Sequence, residues 1–146
     1  LLNLSRNLAA MFYGNGGGSR GQISAITAGG VVTLTNPSDI VFFERDMMLQ
    51  AADWDGTGAA GAIRAGTDTI AAIDRSAGTF TLTGAAIPGG WTAGPPGDFL
   101  FQQGDISSVV TGLEGWLPVV APVVGDAFFG LDRSVDPTRL AWSRFN

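Results

Sequence analysis

The chain reads as mainly β: a small six-stranded β-barrel built from two hairpin-plus-strand repeats, with a short helix before it and a mixed segment after it. An internal duplication leads to this reading. Ile23-Ser24-Ala25-Ile26, a Gly-Gly turn and Thr33-Leu34-Thr35 recur as Ile70-Ala71-Ala72-Ile73, a Ser-Ala-Gly turn and Thr81-Leu82-Thr83. Each copy then runs on to a similar piece, Asp46 to Gln50 in the first and Asp98 to Gln102 in the second. Repeated supersecondary units bury a shared core. The second observation is alternation: Thr79, Thr81 and Thr83 interleave with Phe80 and Leu82, the period of a strand with one wet and one dry face. The third is strand number. Six short strands leave exposed edges unless the sheet closes on itself.

Taken in order, residues 1–13 carry Leu1, Leu4, Leu8, Met11 and Phe12 at i+3 and i+4 spacing, which predicts a helix that Gly14 ends. The run from Gly14 to Ser19 is four glycines in six residues and reads as a flexible hinge. Strands are expected at about 21–28 and 31–35, joined at Gly29-Gly30. Asn36-Pro37-Ser38-Asp39 is a turn or one helical turn, with Pro37 preset for it and Asn36 able to cap it. A strand comes next near 46–52, then a loop from Asp53 to Gly61. Further strands are expected at about 62–64, 67–75, 79–83 and 98–102, with Trp91 in a loop bracketed by Pro88-Gly89-Gly90 and Pro95-Pro96-Gly97. Beyond Asp105 the pattern changes. Leu117 to Val124 is apolar but holds Pro118 and Pro122, so it is extended, and Asp136-Pro137 starts a helix.

Ile23, Ile26, Leu34, Leu49, Ile70, Ile73, Phe80, Leu82, Phe99 and Phe101 are the expected barrel core. Neighbours in a strand face opposite ways, so Ile23 and Ile26 cannot both point inward in an unbroken strand, nor can Ile70 and Ile73. Either a bulge intervenes, or one of each pair packs on an outside element such as the first helix.

Composition narrows the chemistry. The chain has no cysteine and no histidine, and all eight of its basic residues are arginine. There is thus no disulfide framework or thiolate metal site, no imidazole base, and no lysine for a phosphate loop or Schiff base. Charged residues make up 14% of the chain, against roughly 25% in typical soluble domains. A net charge of −5 disfavours a uniformly basic nucleic-acid surface. No run of 18 apolar residues suggests a membrane span. Leu1 is not an initiator methionine, and both ends read as cut from a longer chain.

The candidate motifs have bland readings that fit better. Gly16 to Gly21 matches G-x-G-x-x-G by count, but the dinucleotide fingerprint needs a strand before it and a helix after it, the reverse of what this sequence predicts. Asp53-x-Asp55-Gly56 resembles the start of a calcium loop and lacks the later acidic ligand. Glu44 and Glu114 are the only glutamates, and most of the eleven aspartates sit in turn contexts, which turn chemistry explains without catalysis. No catalytic, cofactor or metal site is expected. Trp54 and Trp91 lie in loops and Trp116 comes after the barrel, so all three are candidate contact anchors. Arg133 and Arg139 flank Asp132 and Asp136 and can pair with them locally or across a subunit boundary.

The stretch Phe128-Phe129-Gly130-Leu131-Asp132-Arg133-Ser134-Val135-Asp136-Pro137-Thr138-Arg139-Leu140-Ala141 resembles major capsid proteins of tailed bacteriophages and prophages, of the Hong Kong phage-type fold. Gly112 to Pro118 fits the same family, as does Tyr13-Gly14 leading through glycines to Arg20-Gly21. The resemblance implies a larger α+β capsid fold carrying an inserted β-barrel. Residues 1–19 would be a helix and glycine hinge of that fold, 20–105 the inserted domain, and 106–146 the return segment. It further implies a non-enzymatic structural protein that self-assembles into a virion shell, formed in the host cytoplasm. Its partners would be copies of itself, with scaffolding or portal proteins as further ones, and no membrane or specific nucleic-acid site. Trp54, Trp91, Trp116, Phe128, Phe129, Asp132, Arg133 and Arg139 are the expected assembly interface. The N-terminal arm, extended loop and spine helix of that fold do not fit before Leu1, so the chain reads as the middle of a coat protein. A second reading is a small β-barrel binding module that holds a carbohydrate or peptide in its mouth, with Trp54 and Trp91 lining it.

Overall fold

The structure, a computed structural model, describes residues 8–9, 12–14, 16–107 and 112–113, and the backbone of 127–128 and 131–132. Six strands make up its body: β1 (Gly21–Ile26), β2 (Val31–Leu34), β3 (Met48–Ala52), β4 (Ile63–Asp74), β5 (Thr79–Leu82) and β6 (Phe99–Gln102). All are antiparallel to their neighbours, and the order β1-β2-β5-β4-β3-β6 returns from β6 to β1, so the sheet closes in a ring. Closure leaves none of the six as a free edge strand.

The duplication survives in the pairing. Exchanging the first three strands for the last three leaves the ring order unchanged. Where the two copies meet, β2 pairs with β5 through Val32↔Phe80, flanked by Val31↔Thr81 and Thr33↔Thr79. On the opposite side β3 pairs with β6 through Leu49↔Gln102 and Gln50↔Phe101. Both sets map onto themselves when equivalent repeat positions are exchanged, the signature of a two-fold relation between the halves.

Each repeat also carries the same irregularity. The β1–β2 register shifts between Ile23 and Ala25, and the β4–β5 register shifts between Ile70 and Ala72. A one-residue bulge reverses the facing of the residues beyond it. Ile23 and Ile70 are therefore wholly buried, while Ile26 and Ile73 still turn back against the same core.

The interior keeps to period two: Val32 and Leu34, Phe80 and Leu82, Leu49 and Ala51 pack inward with Ile23, Ile70 and Leu100. Phe99 differs from expectation, whereas Phe101 is fully buried. Leu100 is the residue of β6 in the core cluster, and Phe101 is buried outside that cluster while Phe99 is half-buried. Alternation cannot choose a face when three successive residues are apolar, and here the central one points in.

A 3-10 helix over Pro37–Phe42 comes after β2 and packs against β1, β2 and β5. Asn36 caps it as expected: its Oδ1 accepts from the Ser38 N–H at 3.2 Å. Ile40 and, just beyond the helix, Phe43 enter the core, and the Phe43 ring stacks on Phe80 at 5.1 Å between centroids. Arg75 holds the end of this segment, donating to the Ile40 carbonyl at 3.0 Å and the Phe43 carbonyl at 3.3 Å.

The expected strands at 62–64 and 67–75 are one twelve-residue strand, β4. Gly66 reads as a break but lies inside it, because the 88–91 loop crosses there. The Gly66 N–H donates to the Gly89 carbonyl at 2.8 Å, and a Cβ at Gly66 would meet the Gly89 nitrogen at 2.2 Å. Of the predicted first helix, Leu8, Ala9, Phe12 and Tyr13 are helical, and the rest lies outside the described residues. After the ring, β7 (Ala127–Phe128) and β8 (Leu131–Asp132) pair as a two-stranded antiparallel sheet.

Candidate functional site

The incoming and outgoing ends of the ring meet at one place. Arg20 precedes β1 and is 8% exposed. Its guanidinium donates to three separate segments: the Phe42 carbonyl at 3.3 Å, Gln102 Oε1 at 3.0 Å and Asp105 Oδ2 at 3.0 Å. The planar fork of arginine suits such divergent acceptors in a way an ammonium does not. Next to it the Ser107 N–H donates to the Gly17 carbonyl at 2.9 Å, and the Ser107 hydroxyl donates to the Gly56 carbonyl.

Two glycines make this approach possible. A Cβ at Gly56 would lie 2.0 Å from the Gly17 carbonyl oxygen, and one at Gly18 would lie 2.4 Å from that of Asp105. Both also adopt φ near +90°, at 89° and 86°, where a side chain is strained. The expectation of a flexible hinge is thus corrected at Gly17 and Gly18, whose backbone lies against Gly56 and Asp105.

Beside this junction runs an open groove of about 340 Å³, lined by Arg20, Gln22, Asn36, Asp39, Phe42 and Phe99 among others. Burial raises the Asp39 carboxyl above its ordinary value, and the hydrogen bond from the Asn36 amide opposes that shift. A second groove, of about 570 Å³, continues past Gln22 along Ser24 and Thr35 to the Gly94–Gly97 loop. Gln22 Nε2 donates to the Gly97 carbonyl at 2.8 Å and fixes the wall between them.

The acidic and glycine motifs of the sequence have local roles. Asp53 Oδ1 accepts from the Ala62 N–H at 2.7 Å, and Asp55 Oδ1 accepts from the Thr57 N–H at 3.0 Å and the Thr57 hydroxyl at 2.6 Å. Both carboxylates thus shape their own loop. Gly16 to Gly21 leads into β1, not into a helix. Among the described residues, no three acidic, histidine or cysteine side chains converge as metal ligands.

Trp91 corrects its assignment as an interface anchor. It is 7% exposed within the core cluster, and its indole N–H donates to the Gly66 carbonyl at 2.8 Å. The ring therefore cannot offer Trp91 as a ligand platform. Trp54 is half-buried, and its indole nitrogen has no partner among the described residues. Trp116, Phe129, Arg133 and Arg139 lie outside the described residues. Phe128 and Asp132 are described as backbone in β7 and β8.

Sequence reasoning missed Arg20. A lone arginine after a glycine run carries no pattern, although the absence of lysine was a signal. Arg20, Arg64 and Arg75 each hold two or three acceptors at once. No protein-family model, curated protein or solved structure matches the chain.

Proposed function

We propose that this chain is a segment of a tailed-phage or prophage coat subunit, with residues 20–105 forming a domain inserted into the capsid fold. The observation that carries the reading is the contact of Ser107 with Gly17 at 2.9 Å. A domain whose two ends touch can enter a host fold at a single loop without separating what lies on either side. The resemblance of Phe128 to Ala141 supplies the kind of host.

The work of such a segment is mechanical. Apolar residues outside the ring are exposed: Leu8, Phe12 and Tyr13 before it, and Leu113 after it. Uncovered apolar surface of this kind marks contact with another part of the subunit or with a neighbouring copy. Repetition by symmetry turns modest contacts into a shell, whose place is the virion. No helix among the described residues is long and apolar enough to cross a membrane.

The test is assembly of the whole subunit, monitored by light scattering and sedimentation. Wild-type subunits are expected to form capsomers or shells, and Trp116→Ala and Arg139→Ala to impair that step while leaving the ring folded. Subunits that stay monomeric under all assembly conditions, or that turn over a small substrate, contradict the reading.

A further inference from the structure

We propose that the junction at Arg20 is a releasable clasp: a two-state joint that fixes the ring to the flanking chain and can open without unfolding the ring. Such a clasp concerns the ring's attachment and holds for any host fold. Two features of the chain at this point work against each other. The sequence Gly14-Asn15-Gly16-Gly17-Gly18 is the composition of a loose tether. Yet Gly17 is buried and Gly18 lies against Asp105. What opposes the tether is a set of polar contacts made by the nearly buried Arg20 and by Ser107.

Those contacts are polar, and they border the core at Phe42, whose carbonyl accepts from Arg20 while its side chain packs against the core cluster. The clasp includes the three Arg20 side-chain bonds, the Ser107 bond to Gly17 and the Ser107 hydroxyl bond to Gly56. None of Arg20, Gln102, Asp105 and Ser107 belongs to the apolar cluster of Ile23, Leu34, Leu49, Ile70, Phe80 and Leu100. Opening the clasp exposes charged and backbone groups to water, which can satisfy them. It removes no apolar side chain from the core. Local openings of this kind cost less than global unfolding and occur as separate cooperative units. With the clasp closed, Gly17 and Ser107 move as one body with the ring. With it open, the glycine run is free to act as the tether its composition describes.

Native-state amide exchange on the 146-residue chain reads both states. The Ser107 amide reports the clasp, and the Ile23, Ile70 and Leu82 amides report the ring, since each donates to a backbone carbonyl of the ring region. In the native chain Ser107 is expected to be protected, but less than the ring amides. Asp105→Asn, which weakens one charge-assisted hydrogen bond, is expected to speed Ser107 exchange by about 10- to 100-fold, and Arg20→Ala, which removes three hydrogen bonds, by at least as much. Ring amides should change by less than about threefold. Gly18→Ala tests the same joint by steric means and should give the same pattern with Arg20 intact. Three results overturn the proposal: an unprotected Ser107 amide in the native chain, no acceleration in any variant, or ring and Ser107 amides accelerating together.

Discussion

Arg64 and Asp98 form a two-pronged ion pair that ties the start of β4 to the residue preceding β6. Arg64 Nε donates to Asp98 Oδ2 at 3.0 Å and its terminal nitrogen donates to Oδ1 at 2.7 Å, with Asp98 only 2% exposed. The Thr92 N–H donates to Oδ2 as well, at 2.7 Å. The hydrogen bond to Asp98 also raises the Arg64 pKa further above its ordinary value. The equivalent residue of the first repeat, Asp46, is exposed, and its contact with Arg45 is 4.0 Å. One repeat position has thus become a buried anchor in one copy and a solvated turn in the other.

Asp98→Asn and Asp46→Asn should therefore differ sharply. The first removes a charge-assisted bond inside the protein and is expected to cost about 2–3 kcal/mol. The second keeps a residue type that tolerates the left-handed backbone at position 46, where φ is 66°, and should stay within about 0.5 kcal/mol. Urea denaturation of the two variants checks this.

The paired bulges predict a ranking. Ile23→Ala and Ile70→Ala empty fully buried sites and are expected to cost about 2–5 kcal/mol each. Ile26→Ala and Ile73→Ala, half-buried after the bulge, should cost less than their partners in both repeats. An inverted order in either repeat contradicts the two-fold account of the core.

Two carboxyls give opposite dependence on pH. The Ser76 hydroxyl, aided by the Ala77 and Ser76 N–H groups, holds the Asp74 carboxyl below its ordinary value of 3.8. A depressed folded pKa stabilises the fold above the unfolded value, and that stability is lost as pH falls through the folded pKa. Asp74→Asn should flatten the acid limb below pH 3.8. Asp39 is raised from 3.8 by burial, so stability falls as pH rises from 3.8 through its folded pKa. Asp39→Asn keeps an acceptor for the Asn36 amide and should gain stability over wild type above that range. Urea titrations at a series of pH values separate the two.

Trp91→Phe keeps an aromatic ring in the core and deletes the bond to Gly66. The expected cost is about 1–3 kcal/mol, because the Gly66 carbonyl is left without its donor in a partly buried setting. Iodide quenching averaged over the protein's total tryptophan emission should rise, since the substitution removes a shielded emitter. Unchanged or reduced average quenching contradicts the burial of Trp91.

Much of the ring was legible because its two copies constrain one another. Ile-x-x-Ile with Thr-x-Thr marks the same hairpin twice, and the conflict between Ile23 and Ile26 left either a bulge or an outside contact, of which the pairing contains the bulge in both repeats. Less visible was anything set by contact at a distance. Gly66 looked like a strand break because a residue pattern does not show a loop crossing over the strand. Trp91 looked like a surface anchor for the same reason: Pro-Gly-Gly-Trp specifies a loop, and nothing in that pattern shows the indole turned inward onto the Gly66 carbonyl while Gly89 and Gly90 stay exposed. At β6, Phe99-Leu100-Phe101 held no alternation to read. The junction at Arg20 joins residues far apart in sequence, each ordinary where it stands.

Electron microscopy of the complete gene product tests the central claim most directly. The account predicts closed shells or ring-shaped capsomers in which every subunit carries a separate lobe of density for residues 20–105. That lobe should join the rest of the subunit at one narrow neck containing Gly17 and Ser107. A particle-free preparation, or a subunit whose chain leaves the ring at two distant points, contradicts it.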